Sequence, residues 1–289
     1  MTIATIDIGG TGIKFASLTP DGKILDKAST ATPETLEELL AWLDQRLSER
    51  DYRGIAMSVP GAVHQETGVI EGISAIPYIH GFSWYEALAH HKLPIHLEND
   101  ANCVGLSELL AHPEIENAAC VVIGTGIGGA MIINGKLHRG RHGLGGEFGY
   151  MTTIEPAERL NNWSQLASTG NMVRYVIEKS DQTDWDGRKV YQEAAAGNAL
   201  CQEAIERMNR NLAQGLLNIQ YLIDPDVISL GGSISQNLDF IKGVQKAVDA
   251  FVERYEEYTI APVIQACTYQ ADANLYGALV NWLQEENQW

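Results

Sequence analysis

Apolar and polar residues alternate from the start of the chain, and TIDIGG followed by IKFASL predicts two strands joined by a glycine-rich turn. Pro20-Asp21-Gly22 supplies a further turn before KILDKA. The period then changes. Leu36, Leu39, Leu40, Leu43 and Leu47 recur on one helical face, with Thr32 read as the N-cap and Pro33 as the first helical residue. An apolar strand, GIAMSV, ends at Pro60-Gly61, and a short strand, PIHLEN, runs into a helix that starts near Asp100.

The second half repeats this grammar. CVVIGTG is followed by IGGAMII, an Asn134-Gly135 turn and KLHRG, and Asn-Gly between alternating apolar runs is a strong hairpin signal. Ile205, Met208, Leu212, Leu216 and Ile219 then mark one face of a long helix ending at Asp224-Pro225. The buried strand VISLGG follows, and a last helix covers roughly residues 273–283. Laid over each other, DIGGTGIKFASL and IGTGIGGAMII read as two copies of one strand–turn–strand unit. The expected organisation is α/β, duplicated, with two domains around a cleft: residues 1–115, then 116–272, with a C-terminal helix at about 273–289 packing back onto the first.

Composition narrows the function. At 289 residues, 45% hydrophobic and 20% charged, the chain is an ordinary globular protein. The N-terminus shows no leader pattern and no stretch is apolar for long enough to span a bilayer, so a cytoplasmic location is expected. A net charge of −17 disfavours nucleic acid and anionic lipid as partners. It also requires that a polyphosphate be held by local amides and a metal ion. Cys103, Cys120, Cys201 and Cys267 form no CxxC pair, so reduced structural thiols and no zinc site are expected.

Glycine turns at strand ends let backbone amides approach an anion. Gly9-Gly10 taken alone is as well explained by a hairpin. Asp7 at the end of an apolar strand, Thr11 beside the glycines, and a second turn at Gly124–Gly129 favour an anion site. The second turn contains GxGxxG, yet it leads into AMII and a hairpin where a dinucleotide fold needs a helix, which excludes that reading. Gly231-Gly232 after VISL is a third such turn. Asp100, after Glu98-Asn99, is either a helix cap or a general base at a strand's carboxyl end. Asn99 offers a donor and an acceptor to a polyol. Glu147, in GGEFGY, is either a sugar-hydroxyl acceptor or a solvated loop residue.

Taken in order, DIGGT with Lys14, Pro60-Gly61, ENDAN, GTGIGG, GEFGY and SLGGS resemble the ROK family of bacterial sugar kinases over essentially the whole chain, and most of all its β-glucoside kinase-like members. The resemblance implies an actin-like (ribonuclease H-like) ATPase fold, a homodimer, and ATP with Mg2+. It implies that Asp7 helps hold Mg2+ and that Gly9, Gly10, Thr11 and Lys14 form a first phosphate loop. Thr125, Gly126 and Gly128 would form a second, with Gly231 and Gly232 near adenosine. Gly61, Asn99, Asp100 and Glu147 would bind the sugar, with Asp100 as the base for its 6-hydroxyl.

Two departures bear on the substrate. The family's ExGH histidine is replaced by Tyr150, and the cysteine-rich zinc loop is missing from MTTIEPAERLNNWSQLASTG. Ser164 aligns with a glutamate that, with the ExGH pair, reads the sugar near C1 and C2. The expected substrate is therefore a glucoside or hexose, with a substituted anomeric oxygen favoured. The alternatives are a glucokinase or an N-acetylmannosamine kinase. A sugar-sensing regulator of the same family is disfavoured by the lack of a DNA-binding segment before the first strand.

Overall fold

The computed structural model describes residues 1–154, 160–180, 182–255 and 257–289. The chain forms two compact units. The first holds Met1–Glu114, Arg139–Gly145 and Ala271–Trp289, and the second holds Ile115–His138 and Gly146–Gln270. The sequence pattern divides the chain at 115/116 and 272/273 without interruption. Residues 139–145 depart from it, because the Arg139 guanidinium is held by Glu98, Asn281 and Glu285 of the first unit.

In the first unit, β1 (Ile3–Ile8), β2 (Gly12–Leu18) and β3 (Ile24–Ala31) are followed by α1 (Leu36–Leu47) and β4 (Gly54–Val59). A small hairpin of β5 (Ala62–His64) and β6 (Val69–Glu71), a short helix α2 (Trp84–Ala87), β7 (Ile95–Asn99) and α3 (Asp100–Ala111) come next, and the C-terminal helix (Ala273–Glu285) completes the unit. The main sheet has the order β3-β2-β1-β4-β7, antiparallel from β3 to β1 and parallel from β1 to β7. Because side chains alternate across a sheet, β1 sends Ala4, Ile6 and Ile8 toward Leu39 and Leu43 of α1. It sends Ile3 toward Leu275, Leu279 and Trp282 of the C-terminal helix. Asp7 lies on that second face.

The α1 helix is capped by Thr35, whose hydroxyl accepts from the Glu38 amide at 3.3 Å, and not by Thr32. Thr32 instead donates to the Gly9 carbonyl at 2.6 Å. Pro33 therefore precedes the helix. Thr35-x-x-Glu38 carries the cap signature in the sequence.

The second unit contains β8 (Ala118–Ile123), β9 (Ile127–Ile133), β10 (Lys136–Leu137) and the pair β11 (Thr152–Ile154) and β12 (Leu160–Asn162). Helices α4 (Trp163–Ala167), α5 (Thr169–Ser180), α6 (Gly187–Ala195) and α7 (Ala199–Ile223) follow, then β13 (Val227–Gly231), α8 (Leu238–Arg254) and β14 (Ile264–Ala266). Its sheet, β10-β9-β8-β13-β14, repeats the strand directions of the first. The duplicated pattern in the sequence is thus a duplicated sheet. Asn134 and Gly135 both have positive φ, 53° and 69°, as the Asn-Gly hairpin requires. The apolar stripe of α7 packs Met208, Leu212, Leu216 and Ile219 into the core. Among the described residues no helix is long and apolar enough to cross a membrane.

Candidate active site

In the first unit the site begins with three parallel strands in register. Asp7 of β1 lies beside Ser58 of β4, and Ser58 beside Glu98 of β7. The carboxyl ends of β1, β4 and β7 therefore carry a polar row, and the loops leaving them hold Gly9-Gly10, Gly61 and Asn99-Asp100. This is the edge of a parallel sheet where ligands bind.

Asp7 is nearly buried, and both of its carboxylate oxygens are hydrogen-bonded. Oδ2 lies 3.1 Å from Lys14 Nζ, while Oδ1 accepts from Asn274 Nδ2 at 2.9 Å and Ser58 Oγ at 3.3 Å. Asp7 and Lys14 are cross-strand partners, so the antiparallel register of β1 and β2 itself creates the pair. Lys14 also donates to the Ala271 carbonyl at 2.6 Å. The first glycine turn is closed by Gly9 N–H on the Gly12 carbonyl at 3.1 Å, with Thr32 bound to the Gly9 carbonyl from outside. Gly10 and Thr11 remain exposed.

The helix cap on α3 is Asn99. Its Oδ1 accepts from the amides of Ala101 and Asn102 at 2.9 and 3.2 Å. Its Nδ2 donates to the Gly61 carbonyl at 3.0 Å, which ties two loops of the sheet edge together. The acceptor that Asn99 was expected to offer a polyol is thus spent on the helix. Asp100 stands one residue inside the helix, half-buried, with Oδ1 2.8 Å from its neighbour's amide on Ala101. An anionic side chain in the first turn is stabilised by the helix dipole. Gly61 has φ +104°, and a Cβ there would meet the Glu71 carbonyl at 2.7 Å, so only glycine fits.

Behind this loop sits a buried ion pair that spacing did not signal. Glu98 Oε1 accepts from the Asn99 amide and from Asn102 Nδ2 at 2.8 and 2.9 Å, while Oε2 receives Arg139 Nε at 2.6 Å. Arg139 Nη2 continues to Asn281 Oδ1 at 2.7 Å and Glu285 Oε1 at 2.9 Å. Burial works against the Arg139 charge, but the Glu98 and Glu285 carboxylates outweigh it and raise the guanidinium's pKa. Burial, followed by the charges of Glu98, Asp7 and Asp100, pushes the Cys103 thiol well up. Cys103 is an inert core residue at the back of the site.

The second unit repeats the turn geometry. Gly124 N–H closes onto the Gly126 carbonyl at 2.9 Å, and Thr125 and Gly126 are exposed. Val122 of β8 pairs with Gly231 of β13, which brings the Gly231-Gly232 turn beside the glycine turn. Gly231 is buried in the strand, whereas Gly232 has φ +87° and a Cβ on it would collide with the Ile123 carbonyl. Ser164 Oγ accepts from the Ile127 amide at 2.7 Å and donates to the Ile127 carbonyl at 3.2 Å. Glu147 precedes a single helical turn, Phe148–Tyr150, whose Gly149 packs directly on Ile127 and Ser164. Burial raises the Glu147 pKa.

A comparison with known families matches residues 3–285 to the ROK family. The chain belongs to the ROK family. A β-glucoside kinase of Listeria monocytogenes is 34% identical, over 100% of this chain and 99% of its own. A β-glucoside kinase of Klebsiella pneumoniae is 31% identical, over 98% and 97%. Among solved structures, a ROK family protein from Streptococcus pneumoniae in complex with sucrose is 88% identical, with TM-score 0.98 and full coverage of both chains. The fold is that of the actin-like ATPases, and the activity class is ATP-dependent carbohydrate kinase.

For this ROK chain, the structure groups Asp7, Gly9, Gly10, Lys14, Gly61, Asn99 and Asp100 at one sheet edge of the first unit. It groups Thr125, Gly126, Gly128, Glu147, Gly231 and Gly232 in the second. Ser164 is a brace of the second glycine turn, bound to backbone on both sides. Tyr150 is 72% exposed. Residues 155–159, part of the segment where relatives carry the zinc loop, lie outside the described residues. Sequence reasoning passed over Arg139, Ser58, Asn274 and the bracing role of Thr32. Each is a single polar residue whose partner is far away in the chain.

Proposed function

We propose that this kinase transfers the γ-phosphoryl group of ATP to the primary hydroxyl of a glucose unit whose anomeric oxygen is substituted, as in a glucoside or a disaccharide. The observation that carries the substrate class is the 88% identical Streptococcus pneumoniae relative in complex with sucrose, a disaccharide with both anomeric carbons in its glycosidic link. The β-glucoside kinase relatives support the same class. So does the uncharged pair at the positions of the family's C1 and C2 readers. Tyr150 points its ring to solvent, and the Ser164 hydroxyl is taken up by Ile127.

Asp100 would accept the proton of the primary hydroxyl as the oxygen forms its bond to the γ-phosphorus. The bond from that phosphorus to the β–γ bridging oxygen then breaks, and ADP leaves. Asn99 and Gly61 would fix the sugar beside Asp100, and Glu147 would accept from other hydroxyls. The exposed amides of the two glycine turns would receive phosphate oxygens, with Gly231-Gly232 near the adenosine.

Asp7 fits a role toward Mg2+. It is a hard oxygen donor at the strand end, its Oδ2 keeps a lone pair beyond the bond from Lys14, and Mg2+ is commonly held by one carboxylate plus substrate phosphates and water. When bound, the ion would neutralise charge on the β- and γ-phosphates. Asp7, steadied by Ser58 and Asn274, would hold it. Dependence on ATP puts the reaction in the cytoplasm, and a homodimer is the assembly that the resemblance carries.

A coupled assay with cellobiose, gentiobiose, sucrose, glucose and N-acetylmannosamine tests the reading. A glycoside should give the highest kcat/KM. A strong preference for free glucose or N-acetylmannosamine would overturn the glycoside assignment and leave the kinase class in place.

A further inference from the structure

Away from the site, in the first unit, three potential ligand atoms converge. His90 Nε2 lies 3.0 Å and His91 Nε2 2.8 Å from the same atom, Asp44 Oδ1, and the two rings have centroids 4.1 Å apart. Asp44 comes from the third turn of α1. The histidines come from a single helical turn, Ala89–His91, that precedes β7 and is closed by Lys92 in the left-handed conformation, φ 58°. All three ligand atoms lie within 4.8 Å of one another.

We propose that Asp44, His90 and His91 form a binding site for one divalent transition-metal ion, of the Zn2+ or Ni2+ class. The donor set decides the class. Two imidazole nitrogens and one carboxylate suit borderline metals and do not suit Mg2+ or Ca2+, which favour oxygen. The spacing also fits. Donors 2.0–2.1 Å from a tetrahedral ion stand about 3.3 Å apart, so each imidazole nitrogen needs to move from Asp44 Oδ1 by only a few tenths of an ångström. Each imidazole would carry its proton on Nδ1, leaving Nε2 for the metal. The remaining position would go to water, because His90 and Asp44 reach solvent while His91 is mostly covered, at 15% exposure of its side chain.

The cluster leaves no trace in sequence spacing, because two ligands are adjacent and the third is 46 residues earlier. The i, i+4 pair His138 and His142 does have a familiar spacing, but neither residue is in a helix. A bound ion would tie α1 to the segment that leads into β7 and so to Asn99 and Asp100, which gives it a stabilising role outside the reaction.

The test uses the full chain without a polyhistidine tag, stripped of metal and kept in Mg2+. Titration with Zn2+, and with Ni2+ followed by its d–d absorption, should show saturable uptake of one ion. Saturating Zn2+ should raise Tm by about 5 °C. Asp44→Asn, His90→Gln and His91→Gln should each remove the uptake and the shift while leaving kcat on sugar unchanged. No saturable uptake by the native chain, or equal uptake by all three variants, would overturn the site and leave a hydrogen-bonded surface cluster. Circular dichroism of each variant checks that it is folded before its titration is read.

Discussion

Arg139 Nε sits 2.6 Å from Glu98 Oε2, and this pair braces the loop that carries Asn99 and Asp100 from behind. Glu98 is only 2% exposed, and the guanidinium is the cation it pairs with. Arg139→Met should lower unfolding free energy by about 3–5 kcal/mol, read from the denaturant midpoint, because it strands a buried carboxylate. Arg139→Lys should restore only part of this, since one ammonium cannot match the directions of Nε toward Glu98 and Nη2 toward Asn281 and Glu285. Full stability in Arg139→Met would show that the pair contributes nothing.

Asp100 and Asn99 separate chemistry from structure at adjacent positions. Asp100→Asn should cut kcat by about 10²–10⁴-fold with little change in sugar KM or in Tm, because the cap resides on Asn99. Asn99→Ala should cost about 1 kcal/mol for the cap and also raise sugar KM, since the tie to the Gly61 carbonyl is lost with it. Steady-state kinetics and thermal melts of both variants check the division. If Asp100→Asn keeps near-normal turnover, the base is elsewhere.

That division shows what a sequence can and cannot reveal. The strands, the turns and the duplicated order could be read because they depend on local period and local turn chemistry. Gly61, Asn99 and Asp100 were visible as types at strand ends. Whether Asp100 or Asn99 capped the helix was not, because both are good caps and one residue of register decides it. Thr32 was misplaced for a similar reason. It precedes a proline and an acidic run as a cap would, yet its hydroxyl is bound by Gly9, 23 positions earlier. Arg139 was invisible because nothing near it in sequence marks which of several arginines finds a buried carboxylate.

Glu147 gives a pH signature. Burial raises its pKa, so the folded state holds the proton more tightly than the unfolded chain does. Its contribution to stability is therefore favourable at pH values below the ordinary carboxylate range. It is lost as pH rises through the folded pKa. Glu147→Gln should melt higher than the native protein at pH 7, and the gap should close on acidification through that window. The same variant should bind sugar less well, and an unchanged sugar KM would remove Glu147 from the sugar site.

Ser164 distinguishes a brace from a reader. Ser164→Ala removes both hydrogen bonds to Ile127 and leaves a backbone amide unmatched, at a cost of about 1–3 kcal/mol. Its kinetic effect should fall on ATP, with KM for ATP raised severalfold and KM for sugar unchanged. The opposite pattern would return Ser164 to the sugar.

The C-terminal helix lies far from these residues in sequence but has consequences for synthesis. Trp282 fills the space over Gly54 where any larger residue would clash, and Gly277 packs against the backbone of Cys103. The sheet that carries Asp7 therefore lacks its cover over Gly54 until residues 273–285 have been made. The second unit is made up of residues up to 270, whereas the first also needs residues 271–289. A nascent chain halted before residue 273 would carry every predicted sugar-binding residue and still present an uncovered apolar sheet to chaperones.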